Sequence, residues 1–303
     1  MSAMEHMDVH VPVLADEVVF LLRARRSGWM VDGTVGLGGH AERLLDASAP
    51  GARLLGLDGD DDALARAAAR LARFGERARL RHGNFRALAT HAAEAGVAEA
   101  ETVLLDLGLS SYQLEASRRG FSFQGEEPLD MRFDPTAGIT AAELVNRLPE
   151  AELATVLKEH GEEPHARRIA RRIVEARAVA PLRTTADLVA AVKRGVPRAA
   201  WPRRTHVATR TFQALRVAVN DEAQALRDAL PQAAALLGRG GRLGVISFHS
   251  GEDRIVKRTF RTLETNGFGE LQPSPLMPQR EETLVNPRAR SAKLRVLERL
   301  EAA

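Results

Sequence analysis

The chain has 303 residues, enough for one large α/β domain or for one domain carrying an insertion. Hydrophobic residues make up 45% but aromatics only 4%, so the core must rest on Leu, Val, Ile and Ala. The absence of cysteine excludes disulfides and thiolate metal sites and fits a cytoplasmic protein. No leader pattern is read in Met1 to Asp8, no apolar run approaches transmembrane length, and the nine His residues are scattered without an H-E-x-x-H pair. No membrane and no metal are therefore expected.

The net charge of +3 hides an asymmetry. Between His165 and Arg216 there are 13 Lys and Arg against two acids, Glu175 and Asp187, so this segment carries +11 and the remainder −8. A solvated helical surface usually mixes both signs, whereas one basic segment on an otherwise acidic chain is an electrostatic footprint for a polyanion, and nucleic acid is the better reading.

In chain order, Asp16 to Leu22 reads as a short amphipathic helix behind the entry segment His10-Val11-Pro12-Val13-Leu14. Gly28-Trp29-Met30-Val31 reads as a buried strand, followed by Asp32-Gly33-Thr34-Val35-Gly36-Leu37-Gly38-Gly39-His40 and a helix from Ala41. Strand, Gly-rich turn and helix N-terminus form the nucleotide-cofactor corner of a doubly wound α/β fold. A dinucleotide site requires G-x-G-x-x-G, with the pyrophosphate on the helix N-terminus. Here the order is D-x-T-x-G-x-G-G-H, with a carboxylate at the strand end. That carboxylate repels a pyrophosphate but suits the ammonium and sulfonium charges of S-adenosylmethionine, so Asp32 and the loop glycines, Gly36 among them, are candidate cofactor residues. An NAD enzyme is disfavoured by the same spacing.

Arg53 to Asp58 is an apolar run ending in an acid, 26 residues after Asp32, where a second strand would offer its carboxylate to ribose hydroxyls. Asp60, Asp61 and Asp62 read as caps of a helix over Ala63–Arg73. Ala78 to His82 is a third strand leading to Gly83-Asn84-Phe85. Phe85 either borders an adenine or anchors the following helix, with nothing to choose between them. Thr102 to Asp106 is strand four, and Asp106 falls beside the glycine loop if strands one and four flank the topological switch point.

From Tyr112 to about Arg210 the periodicity turns helical. Leu144, Leu148, Leu153 and Leu157 suggest packed helices, and Ile169, Ile173 and Val174 form a stripe away from which Arg167, Arg168, Arg171 and Arg172 project. Residues 112–210 thus read as a helical insertion, while 1–111 and 211–303 form the cofactor domain. Thr211 to Leu237 reads as one long helix, Gly240 to Phe248 as strand five, Glu252 to Thr265 as a helix, and Lys293 to Leu297 as the closing strand. The fold expected is a Rossmann-like class I methyltransferase sheet, mostly parallel with an antiparallel end, carrying an α-helical insertion.

Several long segments carry a resemblance. They are His10–Leu14, the Asp32–His40 loop, Leu105-Asp106-Leu107-Gly108 with Ser110-Ser111, and Arg119-Gly120-Phe121-Ser122-Phe123. They continue with Pro128-Leu129-Asp130-Met131-Arg132, Ala208 to Arg216, Ser247-Phe248-His249-Ser250 and Asn286 to Ser291. In these the chain resembles the bacterial small-subunit ribosomal RNA methyltransferase H (MraW-type) family nearly end to end. The resemblance implies S-adenosylmethionine-dependent N4-methylation of a cytidine in 16S ribosomal RNA at the decoding centre. It implies a cofactor site at Gly38, Gly39, His40, Asp58, Phe85, Asp106 and Gln113. Its partner would be 16S ribosomal RNA or the small ribosomal subunit, with no membrane or metal, and a homodimer is compatible with it. The chain departs from the family pattern at Gly59 (commonly Arg), Tyr112 (usually Pro), Val207 (usually Pro) and Gly251 (usually Leu).

Cytosine N4 is a poor nucleophile, so alignment and an acceptor for an N4 proton are needed. Asp106 is the candidate, with Ser110 and Ser111 as auxiliary acceptors, although holding the methionine end of the cofactor is the favoured role for Asp106. Arg167, Arg168, Arg171, Arg172, Arg203, Arg204 and Arg210 would neutralise phosphates, with Arg288, Arg290 and Lys293 extending the track. Two rivals remain: a DNA amino-methyltransferase, which would show Pro-Pro-Tyr or Pro-Pro-Trp where this chain has Leu107-Gly108-Leu109, and a non-catalytic ribosome assembly factor that keeps the fold only to bind RNA.

Overall fold

The computed structural model describes residues 12–23, 27–273 and 275–300, so His10 and Val11 of the entry motif lie outside the described residues. The chain divides into two compact units, Met1–Gly108 with Ala223–Ala303, and Leu109–Glu222.

The first unit opens with α1 (Ala15–Leu21), then alternates β1 (Trp29–Asp32), α2 (Gly39–Ala47), β2 (Arg53–Asp58), α3 (Asp61–Leu71), β3 (Ala78–His82), α4 (Leu88–Glu94) and β4 (Ala100–Asp106). The second unit holds α5 (Ser111–Glu115), α6 (Ala141–Arg147), α7 (Glu150–Gly161), α8 (Ala166–Val179), α9 (Thr185–Gly195) and α10 (Thr209–Val219). The chain then returns through α11 (Glu222–Leu236), β5 (Leu237–Ser247), α12 (Ser250–Thr265), β6 (Gly269–Leu271), α13 (Arg280–Val285) and β7 (Lys293–Arg299).

The seven strands form one sheet in the order β3-β2-β1-β4-β5-β7-β6. The first five are parallel, and β7 runs antiparallel to both β5 and β6. The parallel strands β1, β2, β4 and β5 bury residues on both faces because helices cover both, whereas the edge strand β3 buries none. Successive side chains point to opposite faces, which separates two cores. Met30, Leu54, Leu104 and Ile246 pack with Val18 of α1, Leu44 of α2 and Leu71 of α3. Val31, Leu55, Val103, Leu105 and Val245 pack with Leu88 of α4, Leu230 of α11 and Phe260 of α12. The order reverses between β1 and β4, so the carboxyl ends of these strands form the crevice where open α/β sheets bind ligands.

The second unit has its own core, including Leu153, Leu157, Ile169, Ile173, Leu188 and Leu215. Leu148 and Val174, expected inside, are only half-buried, and on α8 the small Ala166 and Ala170 complete the buried stripe. Small residues let helices approach: a Cβ on Gly195 would lie 2.8 Å from Ile169 Cα, and one on Gly161 2.5 Å from the Arg210 carbonyl oxygen. Gly195→Ala should therefore lower the thermal midpoint, with an overpacking cost of about 1–3 kcal/mol. An unchanged midpoint in calorimetry would show that α8 and α9 have room to part.

The single helix expected over Thr211–Leu237 is two helices. Asn220 ends α10 by donating from Nδ2 to the Arg216 and Met131 carbonyls (2.9 and 2.8 Å) and accepting from Phe133 N–H at 2.7 Å. Asp221 then takes a left-handed conformation, φ 47°, which short polar residues tolerate. Since α10 packs on α7, the helical unit runs to Glu222 rather than to 210.

Candidate cofactor site

The Gly-rich loop is stitched between its neighbouring strands. Gly33 N–H donates to Leu104 O (2.9 Å) and Val35 N–H to Leu57 O (2.8 Å). Gly33 has no space for a side chain: a Cβ would lie 2.5 Å from Leu105 Cδ2 and 3.3 Å from Phe85 Cβ. The second contact also puts Phe85 against the loop. Gly36 and Gly38 adopt φ of 49° and 80°, left-handed values that glycine takes at little cost, and Gly38 caps α2 in that conformation.

Three strand-end acids converge on this loop. Asp58 is oriented by backbone donors, with Oδ2 accepting from Gly36 N–H (2.9 Å) and Oδ1 from Asp60 N–H (3.0 Å). Asp60 in turn caps α3 by accepting from Asp62 N–H at 3.1 Å, as the run of three acids predicts. Asp32 is only 1% exposed, and its Oδ1 accepts from Thr34 N–H (3.0 Å) and Thr34 Oγ1 (3.4 Å). The Thr34 hydroxyl also accepts from Asp106 N–H at 2.6 Å, tying β1 to β4. Asp106 keeps a side-chain exposure of 24%, and its Oδ2 lies 3.4 Å from Nε2 of His40, which is 6% exposed.

The electrostatics follow from this crowding. Burial raises the Asp32 carboxyl to about 7. The His40 charge and the Thr34 N–H oppose the rise, while Asp106 and Asp58 add to it. Asp106 Oδ1 and His40 Nδ1 are buried without a hydrogen-bond partner among the described residues. Such atoms are costly to leave unsatisfied, and here they border the Gly-rich loop.

The first unit thus brings together Asp32, Gly36, Gly38, Gly39, His40, Asp58, Phe85 and Asp106. Asp32 differs from expectation in being almost wholly enclosed, so it presents no open carboxylate. Ser110 and Gln113 lie in the second unit, where each caps α5 for the other: Ser110 Oγ accepts from Gln113 N–H (3.1 Å) and Gln113 Oε1 from Ser110 N–H (3.0 Å). Thr34 was not singled out from sequence; the signal was its place between Asp32 and the glycines. Phe248, at the end of β5, lies against Gly108, where a Cβ would be 3.4 Å from its ring.

Arg167, Arg168, Arg171, Arg172, Arg203, Arg204 and Arg210 are all exposed. Arg171 and Arg172 make surface pairs with Glu150 and Glu175, and Arg210 donates to the Glu162 carbonyl. Exposed pairs of this kind contribute little and are readily exchanged. Lys293 is instead held by Asp253 at 3.1 Å, which removes it from the expected basic track. Among the described residues no group of His, Cys, Asp and Glu could hold a metal ion, and no helix is long and apolar enough to cross a membrane.

A five-stranded parallel sheet continued by an antiparallel pair, with an acid closing each of β1, β2 and β4 around a Gly-rich turn, defines a class I methyltransferase. The chain belongs to the MraW methylase family, whose profile matches residues 7–300. It is 47% identical to a ribosomal RNA small subunit methyltransferase H of Geobacter sp. (strain M21), over 96% of this chain and 98% of that protein. It is 49% identical, over the same shares, to the protein of that name from Syntrophotalea carbinolica (strain DSM 2380 / NBRC 103641 / GraBd1). An rRNA methylase from Streptococcus thermophilus is a distant likeness, with a TM-score of 0.45 and 13% identity over 94% of this chain and 95% of that one.

The cofactor of this enzyme class is S-adenosylmethionine, and the residues present fit it. The partnerless Asp106 Oδ1 is an acceptor for an ammonium, Asp58 is a pre-oriented acceptor for hydroxyls, and the loop beside them is free of side chains at Gly36 and Gly38.

Proposed function

We propose that this protein methylates N4 of a cytidine of 16S ribosomal RNA close to the decoding centre, in the cytoplasm, with S-adenosylmethionine as donor. The observation that carries the reading is the partnerless carboxylate oxygen of Asp106 beside the Asp32–His40 loop, a placement suited to a cationic cofactor. Bound there, the cofactor supplies a sulfonium-activated methyl group. Asp58 holds the ribose hydroxyls, Phe85 borders the adenine, and Asp106 with His40 fixes the methionine end. Gln113 is assigned to the cofactor on family resemblance.

The residues then have two tasks at the target base. They align N4 with the methyl group, and they accept an N4 proton as the lone pair is freed from the ring. Asp106 and the Ser110 hydroxyl are the acceptors nearest in sequence to the end of β4. A base reaches such a site only when unstacked, which favours a splayed or single-stranded nucleotide. The arginines of the helical unit serve the phosphates. Arg167, Arg168, Arg171 and Arg172 project from α8 opposite the buried Ile169 and Ile173, and Arg203, Arg204 and Arg210 follow in the segment before and within α10.

Incubation with labelled S-adenosylmethionine and small subunits from a methylation-deficient strain tests the whole reading. Label on one cytidine N4 is expected, and its absence from both subunits and naked 16S RNA would overturn it. Asp58→Ala should weaken cofactor binding by about 1–3 kcal/mol, because the ribose hydroxyls lose a charged partner. Calorimetry showing unchanged affinity would remove Asp58 from the ribose site. Replacing Arg167, Arg168, Arg171 and Arg172 by Ala should weaken RNA binding and flatten its salt dependence while leaving cofactor affinity unchanged.

A further inference from the structure

The helix after β5 carries a second concentration of positive charge, in the part of the chain whose overall balance is acidic. In α12, Arg254, Lys257, Arg258 and Arg261 fall at i, i+3, i+4 and i+7, and all four are exposed. This spacing puts them in one row on the face opposite the buried Val256 and Phe260. Each acid of the helix has a partner outside the row. Glu252 is buried in the capping box with His249, and Asp253 is bound by both Lys293 (3.1 Å) and Arg295 (2.7 Å). Glu264, at the end of the helix, accepts from Leu271 N–H at 3.2 Å. From Arg254 to Arg261 the row is about 10 Å long.

Beside the row is a hollow of about 240 Å³ lined by Lys257, Arg261, Gln272 and Arg295 among others. Arg295, which also lines the hollow, is only 9% exposed and is bound through Nε to Asp253, so the exposed cations on this space are Lys257 and Arg261. Two exposed cations of α12 on one hollow match a phosphate group, and the row continuing past it matches a chain of them. We propose that the cationic face of α12, with this hollow, is a docking surface for backbone phosphates of the RNA substrate on the cofactor-binding unit itself. It is separate from the arginines of the helical unit. The proposal rests on the RNA-methylating function above.

The test compares the full-length protein with a Lys257→Ala/Arg258→Ala/Arg261→Ala variant, whose substitutions are exposed and leave the buried face of α12 intact. Binding to 16S RNA is measured by titration across a salt series, alongside calorimetry with S-adenosylmethionine and steady-state methylation. The expected result is RNA affinity down about tenfold at low salt, with log K against log salt flatter by about 1.4 for two lost phosphate contacts. KM for RNA should rise, with kcat and cofactor affinity unchanged. The milder Lys257→Arg/Arg261→Lys variant should bind RNA like the parent. Parental methylation with unchanged RNA affinity and salt slope in the triple variant would overturn this surface alone. A parent that neither binds nor methylates RNA would overturn both this proposal and the function it rests on. Loss of binding to phosphatidylglycerol vesicles with RNA binding intact would assign the face to a membrane and overturn it as well.

Discussion

Asp106→Asn should weaken S-adenosylmethionine binding by about ten- to a hundredfold, corresponding to the ~1.5–3 kcal/mol of a hydrogen bond to a charged group. Asp106 N–H is held by Thr34 Oγ1 at 2.6 Å, Oδ2 faces His40 at 3.4 Å, and Oδ1 is buried without a partner among the described residues. Asparagine keeps the size and the backbone bond but removes the charge that an ammonium would meet. The same variant separates the two roles open to this residue. If Asp106 holds the methionine end, cofactor KM rises and kcat at saturation stays within a few fold. If it accepts the N4 proton, cofactor affinity is retained and kcat falls by about 10²–10⁴, the usual contribution of a positioned base. Parental values for both would remove Asp106 from the reaction.

The ligand-free protein should lose stability as pH rises from 5 towards 8, and Asp32→Asn should abolish most of that loss. Burial holds the Asp32 carboxyl at about 7, against an unperturbed value of 3.8. Between these values the folded protein binds a proton that the unfolded chain has released, so unfolding becomes easier with each pH unit by up to about 1.4 kcal/mol. The proton's contribution is whole below the unfolded value and gone once pH has passed the folded value near 7, where the curve should level. Asparagine retains an oxygen for Thr34 N–H and has no charge to bury. Thermal midpoints of both proteins at pH 5, 6, 7 and 8 give the comparison, and parallel curves would mean that Asp32 does not titrate in this range. A cationic ligand bound close to Asp32 should also drive its proton off. Calorimetric binding heats at pH 6.5 should therefore depend on the ionisation enthalpy of the buffer.

Much of the site was legible because its signals are local. The apolar runs ending in Asp32, Asp58 and Asp106, and the glycines between a strand and a helix, are patterns of neighbours along the chain. In a parallel sheet, strand-end acids must come together at one edge, so three residues distant in sequence could be placed in one crevice from pattern alone. The cap role of Asp60 was readable for the same reason, since its partner is two residues away. The end of α10 was less so: Asn220 and Asp221 are weak breakers alone, and the break is held by Met131 and Phe133 from far along the chain.

The strands β1 to β5 and β7, the acids around the glycine loop and the basic character of the helical segment follow from residue type and spacing, whereas the break between α10 and α11 and the short β6 do not. The packing is what encloses Asp32 but not Asp106, joins them through Thr34, and places Lys293 on Asp253. Burial and pairing depend on which side chains from remote segments pack nearby, and desolvation grows with every such neighbour. Charge and spacing along the chain therefore name the ionisable groups, but the packing around them sets their energies.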